Sequence, residues 1–214
     1  MGLQSELDDM RQSSLKTVNS ELVKIIKKAG DEFKSSYDAT QVIQPGARFP
    51  ESILQDATGH AVSLSGLIAN GPVFFSFYRG SWCPYCNLEL RALQKILPDF
   101  KAKSVRLVAV SPELPDQSLT TSEKNGLEFT VLSDVQNDLA RKLGIVFSQP
   151  DQMRTVFNAI QVDWDTRYGN DNLQVPIPAN ILVDKSGLVK NVWLDPYWHN
   201  RMEPSTALEW INQL

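Results

Sequence analysis

The sequence predicts an α/β fold with a central mixed sheet flanked by helices and preceded by a helical N-terminal extension. Three observations predict it. Between residues 73 and 143, short apolar and aromatic runs alternate with amphipathic stretches, the pattern of strands joined through crossover helices. Near the C-terminus two further apolar runs bracket the turn Asp184-Lys185-Ser186-Gly187, a hairpin signal that adds antiparallel strands. Before residue 30, apolar residues recur at spacings of three and four with charges between them.

Taken in order, Leu3, Leu7, Met10, Leu15, Val18, Leu22, Ile25 and Ala29 predict one helix over residues 3–29, with Gly30 as its stop. Such a stripe either packs on its own domain or pairs with a second copy through a short heptad seam, giving a homodimer. A polar link, Lys34 to Asp38, separates this extension (residues 1–38) from the body of the protein (residues 39–214). Ser52-Ile53-Leu54 and Ala61-Val62-Ser63-Leu64 flank the turn Asp56-Ala57-Thr58-Gly59 as a hairpin. Val73-Phe74-Phe75-Ser76-Phe77-Tyr78 is nearly continuous in apolar and aromatic residues, as a strand covered on both faces must be. Leu90, Leu93, Leu97 and Phe100 then predict a helix from Pro84 to about Phe100, with Pro98 arguing for an earlier end.

Leu107-Val108-Ala109-Val110 reads as a buried strand, residues 116–124 as a helix ending at Asn125-Gly126, and Thr130-Val131-Leu132 as the next strand. Ser133 or Asp134 caps a helix to Leu143, followed by Ile145-Val146-Phe147. Residues 148–176 are less regular, with a helical piece at 153–160 and the polar loop Tyr168-Gly169-Asn170-Asp171-Asn172, a lid or a surface insertion. Asn180-Ile181-Leu182-Val183 and residues 188–193 form the last hairpin, and residues 205–214 the last helix.

The 214 residues fit one domain with an arm, and ordinary apolar and charged fractions of 42% and 21% exclude collagenous, disulfide-dense and disordered classes. With 21 basic against 25 acidic side chains the net charge is −4, which gives no electrostatic footprint for nucleic acid or an anionic membrane. No run reaches the length of a spanning helix. Residues 1–9 have neither the basic region nor the apolar run of a signal peptide, so the expected address is the cytoplasm.

The only cysteines are Cys83 and Cys86. A disulfide across two intervening residues closes too small a loop to staple a fold, which points the pair toward redox chemistry rather than structure. Zinc needs four ligands, and His60 and His199 show no accompanying finger spacing, so no metal or other cofactor is expected. Pro84 suits the first helical position and fixes Cys83 at the mouth of the helix, where free N–H groups and the positive end of the dipole favour a thiolate. Cys86 falls one turn in on the same face. Arg79 is a permanent cation close enough in sequence to favour thiolate at either sulfur.

The segment Phe77-Tyr78-Arg79-Gly80-Ser81-Trp82-Cys83-Pro84-Tyr85-Cys86-Asn87-Leu88-Glu89-Leu90 resembles the active-site segment of the peroxiredoxin-like branch of the alkyl hydroperoxide reductase/thiol-specific antioxidant (AhpC/TSA) family, within the thioredoxin-fold superfamily. Phe129 to Asp134, Val175 to Asp184 and, more weakly, Pro45 to Pro50 fit the family in order and spacing, so the likeness spans residues 45–204. It implies a thioredoxin-like, peroxiredoxin-type fold and a thiol-dependent antioxidant oxidoreductase. Its substrate would be a peroxide or a disulfide, and a thioredoxin or glutathione system its reductant. Read as a thioredoxin, Trp82-Cys83-Pro84-Tyr85-Cys86 makes Cys83 the attacking thiol and Cys86 the resolving one. Read as a peroxiredoxin, Cys86 takes the peroxidatic place and Glu89 matches, while Cys83 stands where Thr belongs and Arg79 where Pro belongs. The family's later Arg is not found before Ile181, where Pro178-Ala179-Asn180 stands. Pro178 resembles the cis-proline that faces the cysteine pair in thioredoxins, the alternative being a trans strand-edge proline. Glu89 reads as a solvated helix residue unless the peroxiredoxin template places it at the site, and Trp82 as a substrate platform or a packing residue. His199 and Arg201 read first as structural or solvated residues and second as groups near the site. The rivals to a peroxidase are a dedicated protein-disulfide reductase and a redox sensor that switches an interaction.

Overall fold

Apolar runs of period two become strands in the computed structural model, which describes residues 2–214. The strands are β1 (Ile53–Asp56), β2 (Ala61–Ser63), β3 (Val73–Phe77), β4 (Arg106–Ser111), β5 (Thr130–Ser133), β6 (Val146–Ser148), β7 (Gln174–Pro176), β8 (Ala179–Val183) and β9 (Val189–Leu194). Seven of them form a sheet in the order β2-β1-β5-β4-β3-β8-β9, and β6 and β7 make a separate antiparallel ribbon. Only β3-β4 and β4-β5 run parallel; β1-β2, β1-β5, β3-β8 and β8-β9 are antiparallel, so the sheet is mixed as predicted.

The helices are α1 (Leu3–Thr17), α2 (Ser20–Ser36), α3 (Leu64–Ala69), α4 (Pro84–Lys95), α5 (Leu97–Ala102), α6 (Pro115–Asn125), α7 (Asp138–Lys142), α8 (Met153–Ala159), α9 (Trp164–Tyr168) and α10 (Pro204–Asn212). Strand alternation sorts the core into two layers. Phe74, Leu107, Ala109, Val131 and Leu182 face one way and meet Leu90 and Leu93 of α4, Phe100 of α5, Ala207 and Ile211 of α10, and Leu3 and Leu7 of α1. Phe75, Phe77, Val108, Val110 and Ile181 face the other way, against Leu64 and Ile68 of α3 and Leu139 and Leu143 near α7. A third cluster joins Ala29 of α2 to α8 and α9 through Phe157, Trp164 and Tyr168.

Several expectations are corrected. The single N-terminal helix is two, because Val18 and Asn19 leave helical geometry and the Asn19 side chain caps α2 by accepting from the Glu21 N–H at 2.8 Å. Gly30 lies inside α2 rather than ending it, next to the Trp198 indole, where even a Cβ would make only an ordinary contact at 3.6 Å from Nε1. The helix predicted from Pro84 breaks at Ile96, and Pro98 stands in the first turn of α5, where its lost N–H costs nothing. The helix predicted from Ser133 or Asp134 begins only at Asp138, because Gln136 and Asn137 are left-handed; the Asp134 carboxylate instead accepts from the N–H groups of Leu139 and Ala140 at 3.0 and 2.8 Å. Leu64, read as the end of a strand, opens α3 under a Ser63 cap. No cis peptide bond occurs among the described residues, so Pro178 is trans. It continues an extended path from β7 into β8, a path that needs no reversal of the ordinary trans preference.

Candidate active site

β3, the central strand, delivers the site. Tyr78 extends it by one more hydrogen bond, its N–H donating to the Val110 carbonyl at 3.0 Å, and the chain then turns through residues 79–82 into α4. The turn is held by Glu113, which follows β4: its buried carboxylate accepts from the Ser81 N–H at 2.8 Å and the Ser81 hydroxyl at 3.0 Å, and pairs with Arg167 at 3.0 Å. Gly80 is needed for this approach, since a Cβ would fall 2.8 Å from both Glu113 Oε1 and Trp82 Nε1. Asn87 fastens the other side by donating to the Ser81 carbonyl at 2.8 Å.

Cys83 is the N-cap of α4 and Pro84 its first residue. Cys83 Sγ accepts from the Cys86 N–H at 3.4 Å, and the Cys86 thiol lies 2.7 Å from it as donor. Both cysteines are free and fully buried. Arg79 turns inward and donates from Nη2 to Cys83 Sγ at 3.1 Å, its guanidinium 5.2 Å from the ring centre of Trp82 and 5.1 Å from that of Trp198. Tyr168 joins this wall, its hydroxyl donating to the Arg79 carbonyl at 2.8 Å and accepting from Trp82 Nε1 at 2.5 Å.

Glu89 and Arg201 belong to the same cluster. Arg201 Nη2 reaches Cys86 Sγ at 3.5 Å and its Nε lies 2.6 Å from the Glu89 carboxylate, which also accepts from Asn180 Nδ2 at 2.9 Å. The reading of Glu89 as a solvated helix residue is therefore corrected: it is 2% exposed because Arg201 and Asn180 close over it. Arg201 likewise stands beside the sulfurs rather than in solvent. His199 lies outside this cluster and pairs with Arg11. Pro178 precedes Ala179, which pairs with Phe77, so it lies at the end of the sheet from which the cysteine turn leaves.

The charges favour a thiolate at Cys83. Burial pushes its pKa up, but the Cys86 hydrogen bond and the cations Arg79 and Arg201 outweigh it and hold Cys83 well below the usual thiol range. Burial and the neighbouring Cys83 charge push Cys86 well above that range, so it keeps its proton. Burial raises Glu89 to about 7 against the opposing pull of Arg201 and Asn180. The four groups form a near-neutral buried set: two guanidiniums against one thiolate and one carboxylate. This arrangement presents a nucleophilic sulfur, a proton-bearing sulfur in contact with it, and cationic donors on both.

Tyr85, Glu113, Tyr168, Asn180 and Trp198 were not singled out from the sequence as site residues. Glu113 had the clearest signal, an acid between Pro112 and Pro115 just beyond the carboxyl end of a strand parallel to β3, the end of an α/β sheet where sites gather.

The sequence profile of the AhpC/TSA family matches residues 45–192. A protein assigned as the peroxiredoxin bcp of Buchnera aphidicola is 32% identical over 103 residues, a match covering 48% of this chain and 65% of that relative. This chain thus spans slightly under two thirds of its length. The thiol-disulfide oxidoreductase ResA of Geobacillus kaustophilus is 28% identical over 148 residues, covering 69% of this chain and 67% of the relative. Among solved structures, the peroxidoxin BcpB of Mycobacterium tuberculosis superposes with a TM-score of 0.62 at 19% identity, over 80% of this chain and 98% of that one, which establishes the thioredoxin-like, peroxiredoxin-type fold.

Proposed function

Because the chain belongs to the AhpC/TSA family, we propose that it is a thiol peroxidase in which Cys83 attacks and Cys86 resolves. One observation carries the reading: a Cys83 sulfur held by Arg79 at 3.1 Å and by the Cys86 thiol at 2.7 Å, in a site with no exposed sulfur surface. Complete burial favours a small substrate over the disulfide of a folded protein. The Cys83 thiolate attacks the terminal peroxide oxygen; the S–O bond forms, the O–O bond breaks, the attacked oxygen keeps its hydrogen as the Cys83 sulfenic acid, and the departing oxygen takes one proton from solvent and leaves as water or an alcohol. Arg79 and Arg201 stabilise the charge passing onto that oxygen. Cys86 then attacks the sulfenic sulfur, forming the S–S bond and releasing the oxygen as water with the thiol proton. A thioredoxin dithiol or two glutathione thiols return two electrons to the disulfide, and a cytoplasmic setting would supply them. This assignment reverses the expectation that Cys86 is peroxidatic, because the charge balance around the two sulfurs favours Cys83 for either substrate.

The test is hydrogen peroxide and cumene hydroperoxide consumption by reduced protein, with mass spectrometry of both cysteines. Cys83→Ser abolishes consumption, whereas Cys86→Ser allows one turnover and leaves a sulfenic acid at Cys83. A sulfenic acid on Cys86 in Cys83→Ser would reverse the assignment. Protein-disulfide reduction is the second reading, favoured by sulfurs already near enough to close a disulfide and by the ResA likeness over 69% of the chain. Insulin reduction outpacing peroxide consumption would select it.

A further inference from the structure

Between α1, α2 and the segment before α10 lies a cavity of about 400 Å³, open at one side. Leu15, Val18 and Ile26 form its apolar wall, and Leu15 leaves 51% of its surface exposed there. Its floor is Tyr85 and Trp198, packed edge to face at 4.8 Å. The Trp198 ring also covers Arg79, so one aromatic side chain separates the cavity from the guanidinium that holds Cys83.

The lining also carries charge, unevenly distributed. Arg11 and Lys27 face a single acid, Asp31, so the cavity carries an excess of one positive charge. Arg11 Nη1 lies 3.1 Å from His199 Nε2. A guanidinium only donates, so Nε2 accepts and the ring hydrogen sits on Nδ1. That Nδ1 is shielded from water, so Arg11 is the group this pair offers to the cavity. Apolar walls with an excess of cationic charge complement one ligand chemistry, a hydrocarbon chain ending in a carboxylate.

We propose that this cavity binds the chain of an amphipathic monocarboxylate, its carboxylate at Arg11, and thereby selects organic hydroperoxides of that kind for Cys83. The selection rests on the thiol-peroxidase reading; binding of the chain does not. Apart from Tyr85, the pocket is built by the N-terminal extension and by residues 196–199, outside the segment that matches the family profile.

The experiment titrates the reduced full-length protein with dodecanoate, dodecanol and hexanoate, reading tryptophan fluorescence and calorimetric heat. Saturable dodecanoate binding, weaker for dodecanol for want of the charge and for hexanoate for want of chain, is the expected result. Leu15→Asp, a surface position on the wall, weakens dodecanoate about tenfold, and Arg11→Lys retains more binding than Arg11→Gln. Hydrogen peroxide oxidation of Cys83 is unchanged in Leu15→Asp, while dodecanoate slows turnover of a carboxylated long-chain hydroperoxide more than that of hydrogen peroxide. Absent or non-saturable binding, equal binding by Leu15→Asp, or dimerisation that covers this face would overturn the proposal. Dodecanoate binding with no peroxide chemistry in the wild type would leave the pocket standing and remove the peroxidase reading together with the selectivity built on it.

Discussion

At the residue scale, the reactivity of Cys83 depends on Arg79. A buried thiol would otherwise hold its proton, and the Arg79 charge at 3.1 Å is one of the few forces acting against burial. Arg79→Gln removes the charge and keeps the burial, so the Cys83 pKa rises, and once it passes the working pH each further unit lowers the thiolate about tenfold. Ultraviolet thiolate absorbance against pH checks this, and unchanged absorbance in Arg79→Gln would remove Arg79 from the account. Arg79→Lys recovers part of the effect, since an ammonium keeps the charge but lies less well between two indole faces. The folded pKa of Cys83 lies below its unfolded value of about 8.5. The stability it contributes is therefore present above that value and lost as pH falls through the folded pKa. Glu89 has the opposite sign. Burial first, against Arg201, raises it to about 7. From the ordinary carboxyl value of about 4.3 up to that pKa the folded state holds a proton that the unfolded state has lost, so stability falls as pH rises. Glu89→Gln should flatten this slope in denaturant titrations and remove an inflection near pH 7 from the rate of Cys83–Cys86 disulfide closure.

At the element scale, the decisive piece is the segment between β9 and α10, residues 195–201, which lays Trp198 over Arg79 and Arg201 against Glu89 and Cys86. Disulfide formation removes the Cys83 charge and leaves two buried guanidiniums with Glu89 as their one close anion. An uncompensated buried cation costs several kcal/mol, so this segment should loosen on oxidation. Hydrogen exchange at residues 195–201 is expected to be faster in the oxidised protein than in the reduced one, with β3 and β4 unchanged; equal protection would mean that Arg79 finds another anion. The seven strands of the main sheet were legible in the sequence as short apolar runs, and the Cys83 turn because Pro84 marks the first helical position; β7, inside the stretch read as irregular, was not. The role of this segment was not legible: Arg201 and Glu89 lie 112 residues apart, and neither carries a local signal that the other will cover it. Glu89 looked solvated because an acid on an amphipathic helix usually is. The break at Val18 was hidden for a related reason, since the apolar spacing runs through it unbroken and only Asn19, a good cap, marks the new start.

At the scale of the whole molecule, the N-terminal extension packs against the elements that surround the sulfurs. Its stripe divides between packing on its own domain and Leu15, which remains exposed; Leu3 and Leu7 are buried against the sheet and α4. The start of α1 is tied to the start of α10, the Glu203 carboxylate accepting from the N–H groups of Leu3 and Gln4 at 3.0 and 2.8 Å. The Gln4 side chain in turn accepts from the Arg201 N–H at 3.2 Å. α1 thus bears on the sulfurs through a short chain: Gln4 holds the backbone of Arg201, and Arg201 holds Glu89 and Cys86. Two variants separate the two contributions. Leu7→Ala removes core packing without touching this link and should cost about 2–5 kcal/mol in urea unfolding, with little change in how fast a small alkylating reagent reaches Cys83. Gln4→Ala removes the link with little loss of core, so stability should fall by about 1 kcal/mol or less while alkylation of Cys83 and Cys86 quickens. If Leu7→Ala opens the sulfurs as far as Gln4→Ala does, access follows overall stability and the extension acts only as a lid on the core. If Gln4→Ala alone opens them, the extension sets the position of Arg201, and the first helix of the chain belongs to the active site.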